Sequence, residues 1–237
     1  MNFRRTTTTA PDRPDLMVLP VSPVGAPAPG PPGPAAGFPL LPADSGIHLG
    51  SDRAGSPVTL AVLGPRAIRI GVLGESLFGR LLACRLVAAG AAVTAVTRGP
   101  SLWTPLRAAC GARLTVAEDP GSWPPCPGAA PGSGPGPQAL ITDLRRPPGR
   151  AVGEEPWTTV VHVARRAPAR SAHWQRPDAV LVLGAPYADA VTPVLGSDAG
   201  RLTASLEQGE IALFRPGGVA ALRPDIAPAE TALLRPG

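Results

Sequence analysis

The residues best placed to do chemistry run from Gly74 to Leu81, Gly-Glu-Ser-Leu-Phe-Gly-Arg-Leu. They follow an apolar, β-branched run at 67–73 and lead into 80–89, where only Arg80 and Arg85 are polar. A strand that enters a buried helix through a glycine-rich turn aims backbone N–H groups, with the helix dipole behind them, at a common point. Such a point binds phosphate.

Two alignments of these residues open two chemistries. As the dinucleotide fingerprint G-x-G-x-x-G, the key positions are Gly74, Ser76 and Gly79. Ser76 then replaces the glycine that lets the backbone approach a pyrophosphate, and Arg98, closing the next strand, would meet the ribose 2′-phosphate of NADP. As the phosphate loop G-x-x-x-x-G-K-[ST], Gly74 and Gly79 are correctly spaced. Arg80 then stands where lysine would hold the β- and γ-phosphates, Leu81 where a hydroxyl would ligate magnesium, and Glu75 adds negative charge among the phosphates. Arginine is longer and planar, and leucine cannot bind a hard cation, so this alignment leaves nucleotide or NAD(P) as a weak ligand or none. A third reading needs no ligand: the two glycines permit close strand-to-helix packing, and side chains such as Phe78 fill the turn.

The remaining candidates add no catalytic or metal constellation. Asp143 closes an apolar strand without a second acid beside it, which suits a loop anchor as well as a metal ligand. His162 lies inside an apolar strand and reads as a hydrogen-bonded core residue, while His48 and His173 have no ligand spacing. Ser76 lacks the G-x-S-x-G frame of a hydrolase nucleophile. Cys84, Cys110 and Cys126 are odd in number without C-x-x-C spacing, and Cys84 falls inside the apolar helix as packing. Trp103, Trp157 and Trp174 sit at segment edges, suited to the core margin or to a partner.

Composition narrows the classes further. All 22 basic residues are arginine, so a Schiff base, a lysine general base and the lysine of a working phosphate loop are excluded. A net charge of +5 invites an acidic partner. Beyond the N-terminal arm, however, the arginines adjoin only at Arg145/Arg146 and Arg165/Arg166, and aromatic residues are few. Nucleic-acid binding is therefore not indicated. Cysteine usage suits a reducing compartment, no stretch has the length of a membrane span, and the start carries no apolar signal core; a cytoplasmic protein without membrane insertion is expected.

The elements that must position these residues follow from pattern. Proline makes up about a quarter of the residues before Ser45, a composition that cannot bury enough apolar surface to fold; residues 1–44 read as a disordered, polyproline-like arm. Residues 45–237 then form one α/β domain. Runs at 56–63 and 67–73 read as strand, turn, strand around Gly64-Pro65. Gly90 ends the helix begun at 80, and 92–98 is the next strand. A helix over 103–109 and a strand over 113–117 follow, then a Pro/Gly surface loop at 120–137. Strands are expected at 139–143, 158–163 and 179–183, a helix over 186–195 despite Pro193, and a closing hairpin of 210–214 with 219–222. Strands that read as continuous apolar runs and alternate with helices predict a three-layer fold: a mainly parallel sheet, helices on both faces, and small antiparallel hairpin elements at the domain's ends.

Motif order along the chain carries a resemblance. The segment Gly46-Ile-His-Leu-Gly-Ser-Asp-Arg-Ala-Gly-Ser-Pro-Val-Thr-Leu60 resembles the hairpin that precedes the phosphate loop in the FtsK–HerA superfamily of pumping ATPases. The run at 139–144 is similar to their Walker B strand, with Asp143 matching its acid and Leu144 departing from the acid that often follows. The strand ending near His162 resembles the one bearing a sensor residue. The resemblance implies a RecA-like P-loop fold without turnover, a pseudo-ATPase, and a protein partner of the motor ATPase kind in secretion or conjugation. A Rossmann-type NAD(P)-binding domain, in some cases an oxidoreductase, and a ligand-free α/β scaffold are the competing readings. Strand order separates the first two: the Rossmann plan sets the strand after the first helix beside the first strand, and the RecA-like plan inserts another between them.

Overall fold

In the computed structural model, residues 46–235 are described except 122, 150, 168 and 169, so the proline-rich arm lies outside the described residues. The strands are β1 (Ile47–Asp52), β2 (Pro57–Leu60), β3 (Ile68–Leu73), β4 (Ala92–Val96), β5 (Leu114–Ala117), β6 (Gln138–Thr142), β7 (Thr158–Ala164), β8 (Ala179–Val182), β9 (Ile211–Arg215) and β10 (Gly218–Pro224). The helices are α1 (Ser76–Ala88), α2 (Thr104–Cys110), α3 (Ala172–Gln175), α4 (Ala188–Leu195), α5 (Ser197–Ala204) and α6 (Pro228–Leu234).

The strands form one ten-stranded sheet in the order β2-β1-β10-β9-β8-β3-β7-β6-β4-β5. From β8 to β5 every pairing is parallel, whereas β9, β10, β1 and β2 add an antiparallel edge. The parallel strands are apolar on both sides because both sides are covered. On β3, Ile70 and Val72 face a core completed by Phe78, Leu81, Leu82 and Leu86 of α1, Leu106 of α2 and Leu234 of α6. Leu73 faces the opposite core, with Trp174 of α3, Val191 of α4 and Ala199 of α5. Truncating one of these fully buried leucines to alanine costs roughly 2–5 kcal/mol. The three-layer α/β expectation and the closing hairpin, β9 with β10, both hold.

Three details differ from expectation. The runs at 56–63 and 67–73 are both strands, but the link between them is longer than a tight turn: β2 pairs with β1 at the far edge, and four strands separate it from β3. β3, buried at every residue but Arg69, takes a central place with parallel partners on both sides, while the half-covered β2 suits an edge. The first helix starts at Ser76, four residues before Arg80. Helices α3, α5 and α6 were not anticipated. The first is a single turn, the second is weakly apolar, and α6 shows its start only in Pro228 and in Glu230, whose Oε2 accepts from the Ala227 N–H at 2.9 Å. Gly90 ends α1 as expected, at φ +96° with its N–H on the Val87 carbonyl.

Candidate functional site

Only Gly74 and Glu75 connect β3 to α1, so Ser76 to Arg80, including Leu77, Phe78 and Gly79, are helical rather than looped. Each helical residue advances only ~1.5 Å along the axis, which leaves no stretch of open backbone between the two glycines to wrap an anion. The Gly74 N–H continues the sheet by donating to the Ala164 carbonyl at 3.0 Å. A Cβ on Gly74 would meet the Leu183 side chain at 2.7 Å, and one on Gly79 would meet Val163 Cγ2 at 3.0 Å and Ile141 Cγ2 at 3.4 Å. Gly79 thus lets α1 lie close on β6 and β7, at the ~1 kcal/mol that glycine costs inside a helix.

The side chains of the turn are committed to the protein. Arg80 is 5% exposed, and its Nη1 donates to the carbonyls of Leu102 and Leu234 at 2.7 and 3.0 Å. Burial holds its guanidinium below the usual arginine range, opposed by the charge of Asp143. Leu81 is core, 1% exposed, and Phe78 lies in the same cluster. Glu75 faces outward, taking Arg165 Nη2 at 2.8 Å on Oε2 and the Tyr187 hydroxyl at 3.3 Å on Oε1.

Ser76 and Asp143 do come together. Ser76 Oγ donates to Asp143 Oδ2 at 2.5 Å, and the buried Thr97 hydroxyl reaches the same oxygen at 3.1 Å. One carboxylate therefore ties the start of α1 to the ends of β4 and β6. A threonine ending a β-branched run, as Thr97 does, carries no sequence signature of this role. Among the described residues, no group of three His, Cys, Asp or Glu side chains is arranged to hold a metal.

Beside this anchor lies a buried aromatic cluster. His162 on β7 is fully buried; its Nδ1 accepts from Trp174 Nε1 at 2.7 Å, which leaves Nε2–H to donate to the Leu144 carbonyl at 2.8 Å. His173 donates from Nε2 to the Ile70 carbonyl at 3.0 Å. Burial lowers both imidazoles from their ordinary range, His173 to about 4. The core reading of His162 holds, and His173 proves to be its packing neighbour, with ring centroids 5.8 Å apart.

Arg98 is exposed at the end of β4, three strand steps from β3, or about 14 Å at the ordinary strand spacing. Arg98 therefore does not close the strand adjacent to β3, where the dinucleotide alignment would set it. β7 and β6 lie between β3 and the strand after α1, the RecA-like arrangement and not the doubly wound dinucleotide order.

No family model matches the chain, and no curated protein matches it in sequence. Among solved structures, the chain is similar to the cytoplasmic domain of the Thermomonospora curvata Type VII secretion ATPase EccC, with a TM-score of 0.51 and 13% identity, over 82% of this chain and 30% of that one. It is also similar to the genome packaging NTPase B204 from Sulfolobus turreted icosahedral virus 2 in complex with AMPPCP, with a TM-score of 0.46 and 9% identity over 68% and 99% of the two chains. Strand order and the EccC likeness define the class: the fold is that of a P-loop, RecA-like ATPase domain. This chain spans less than a third of EccC's cytoplasmic chain.

Proposed function

We propose that this chain is a pseudo-ATPase: a P-loop-like domain that keeps the fold, does not turn over ATP, and acts in the cytoplasm as an accessory or scaffold component beside a secretion or DNA-transfer motor. The observation that carries this reading is the two-residue connection from β3 to α1, with Arg80 directed at the carbonyls of Leu102 and Leu234. A phosphate loop needs open backbone and a mobile cation at that place, and here helix and core packing occupy it. The likeness in fold to EccC supports the motor setting.

The test is steady-state Mg-ATP turnover by the purified full chain, alone and mixed with a motor ATPase encoded beside it. The expected result is no turnover by the chain alone, together with co-elution and an altered rate for the motor. Turnover by the chain alone that disappears in Asp143→Ala would sink the pseudo-ATPase half. A motor that neither co-elutes nor changes rate would sink the accessory half.

A further inference from the structure

We propose that the cavity between the ends of β4 and β6 binds an organic phosphate, its anionic head on Arg98, Arg145 and Arg146 and its apolar body in the adjoining pocket. The cavity, about 550 Å3, is lined by these three arginines and Leu144. Leu144 and Arg146 also line a second pocket of about 200 Å3, whose walls include Val96, Pro120, Leu140 and Pro147. The two spaces adjoin, one basic and one apolar.

Charge decides what the basic part takes. Among the described residues none of the three guanidiniums has an acidic partner, whereas Arg53, Arg66, Arg69, Arg85, Arg165 and Arg223 each pair with a carboxylate. Asp143, the nearest acid in sequence, is engaged by Ser76 and Thr97, and Asp119, after β5, accepts from the Gly121 N–H. Three like charges held at one rim repel one another, and a counter-ion relieves them. A single carboxylate neutralises one; a phosphomonoester carries nearly two charges and presents three oxygens to planar, fork-shaped donors. The site lies at the carboxyl ends of parallel strands, where open α/β sheets leave crevices for ligands. Pro147 and Pro148 restrict the backbone that follows Arg146.

This inference stands apart from the pseudo-ATPase reading, because the site lies at the ends of β6 and β4, two and three strand steps from β3, and uses none of the β3–α1 turn. The experiment is calorimetric titration of the full chain with phenyl phosphate, inorganic phosphate and benzoate. Phenyl phosphate is expected to bind at least tenfold tighter than either of the others. Arg98→Gln and Arg145→Gln should each weaken it at least tenfold, while Arg166→Gln, an exposed arginine on the neighbouring rim, should leave it unchanged. Circular dichroism checks that each variant is folded. Equal binding of phenyl phosphate and inorganic phosphate, or insensitivity to the Arg98 and Arg145 changes, would overturn the proposal. So would tighter binding of a single-stranded oligonucleotide that is steeply salt-dependent and weakened equally by Arg166→Gln, which would make the rim a nucleic-acid surface.

Discussion

The guanidinium of Arg80, in the first helix, donates to the backbone carbonyl of Leu234, the last residue of the final helix. The only other polar side chain of the 80–89 segment does the same work from the next turn: Arg85 Nε and Nη2 grip Glu230 at 2.7 and 2.9 Å. The two arginines of α1 therefore hold α6 to the domain. A cation near a helix C-terminus also meets the negative end of its dipole.

That contact predicts the outcome of restoring a lysine. Arg80→Lys matches the motif of a working phosphate loop, yet its ammonium would still start from a buried site facing two carbonyls. ATP turnover should remain at background. Arg80→Ala should lose about 2 kcal/mol, because the buried Leu234 carbonyl loses this donor. Coupled turnover assays and urea unfolding check the two statements.

Gly71 is held by packing rather than by backbone conformation. A Cβ there would come within 2.5 Å of Trp174 Cζ3, so Gly71→Ala must displace the ring that bonds His162. A loss of roughly 1–3 kcal/mol is expected, as for overpacked cores. Urea unfolding followed by tryptophan fluorescence should show a lower midpoint.

The same cluster makes stability depend on pH. The His173 value falls from 6.5 to about 4 in the folded chain, so between those values the unfolded chain binds more protons. The stabilisation is complete above pH 6.5 and is lost as pH falls through that window. The span of the shift corresponds to about 3 kcal/mol. His162 is shifted in the same direction by burial and adds to the loss. Unfolding free energies measured from pH 7 to pH 4 should fall steadily, with a flatter slope in His173→Leu.

Removing the indole donor tests the hydrogen bond itself. Trp174→Phe leaves His162 Nδ1 buried without its partner and should cost about 1–3 kcal/mol beyond the lost packing. Thermal melts of the variant beside Trp174→Leu separate the two contributions.

Much of the architecture was legible because it rests on local pattern. The runs that became β3, β4, β6, β7 and β8 are mostly apolar, without strict alternation of polar and apolar positions, as suits doubly covered parallel strands, and Gly90 marked the end of α1. The start of α1 was obscured because glycine spacing suggested open loop where Gly79 is helical. Helices α3 and α5 are too short or too polar to announce themselves, and the edge placement of β2 depends on partners remote in sequence.

The sequence by itself determined the class of fold, the absence of lysine chemistry and the candidates at Gly74, Ser76, Arg80 and Asp143, since these depend on composition and on spacing between near neighbours. Only the tertiary structure decided what each one touches. Strand order put two strands between β3 and β4, directed Arg80 to the end of α6, joined Ser76 to Asp143 and gathered Arg98 with Arg145 and Arg146. Contacts across tens of residues are set by how strands cross over and pack, and no local pattern encodes that geometry.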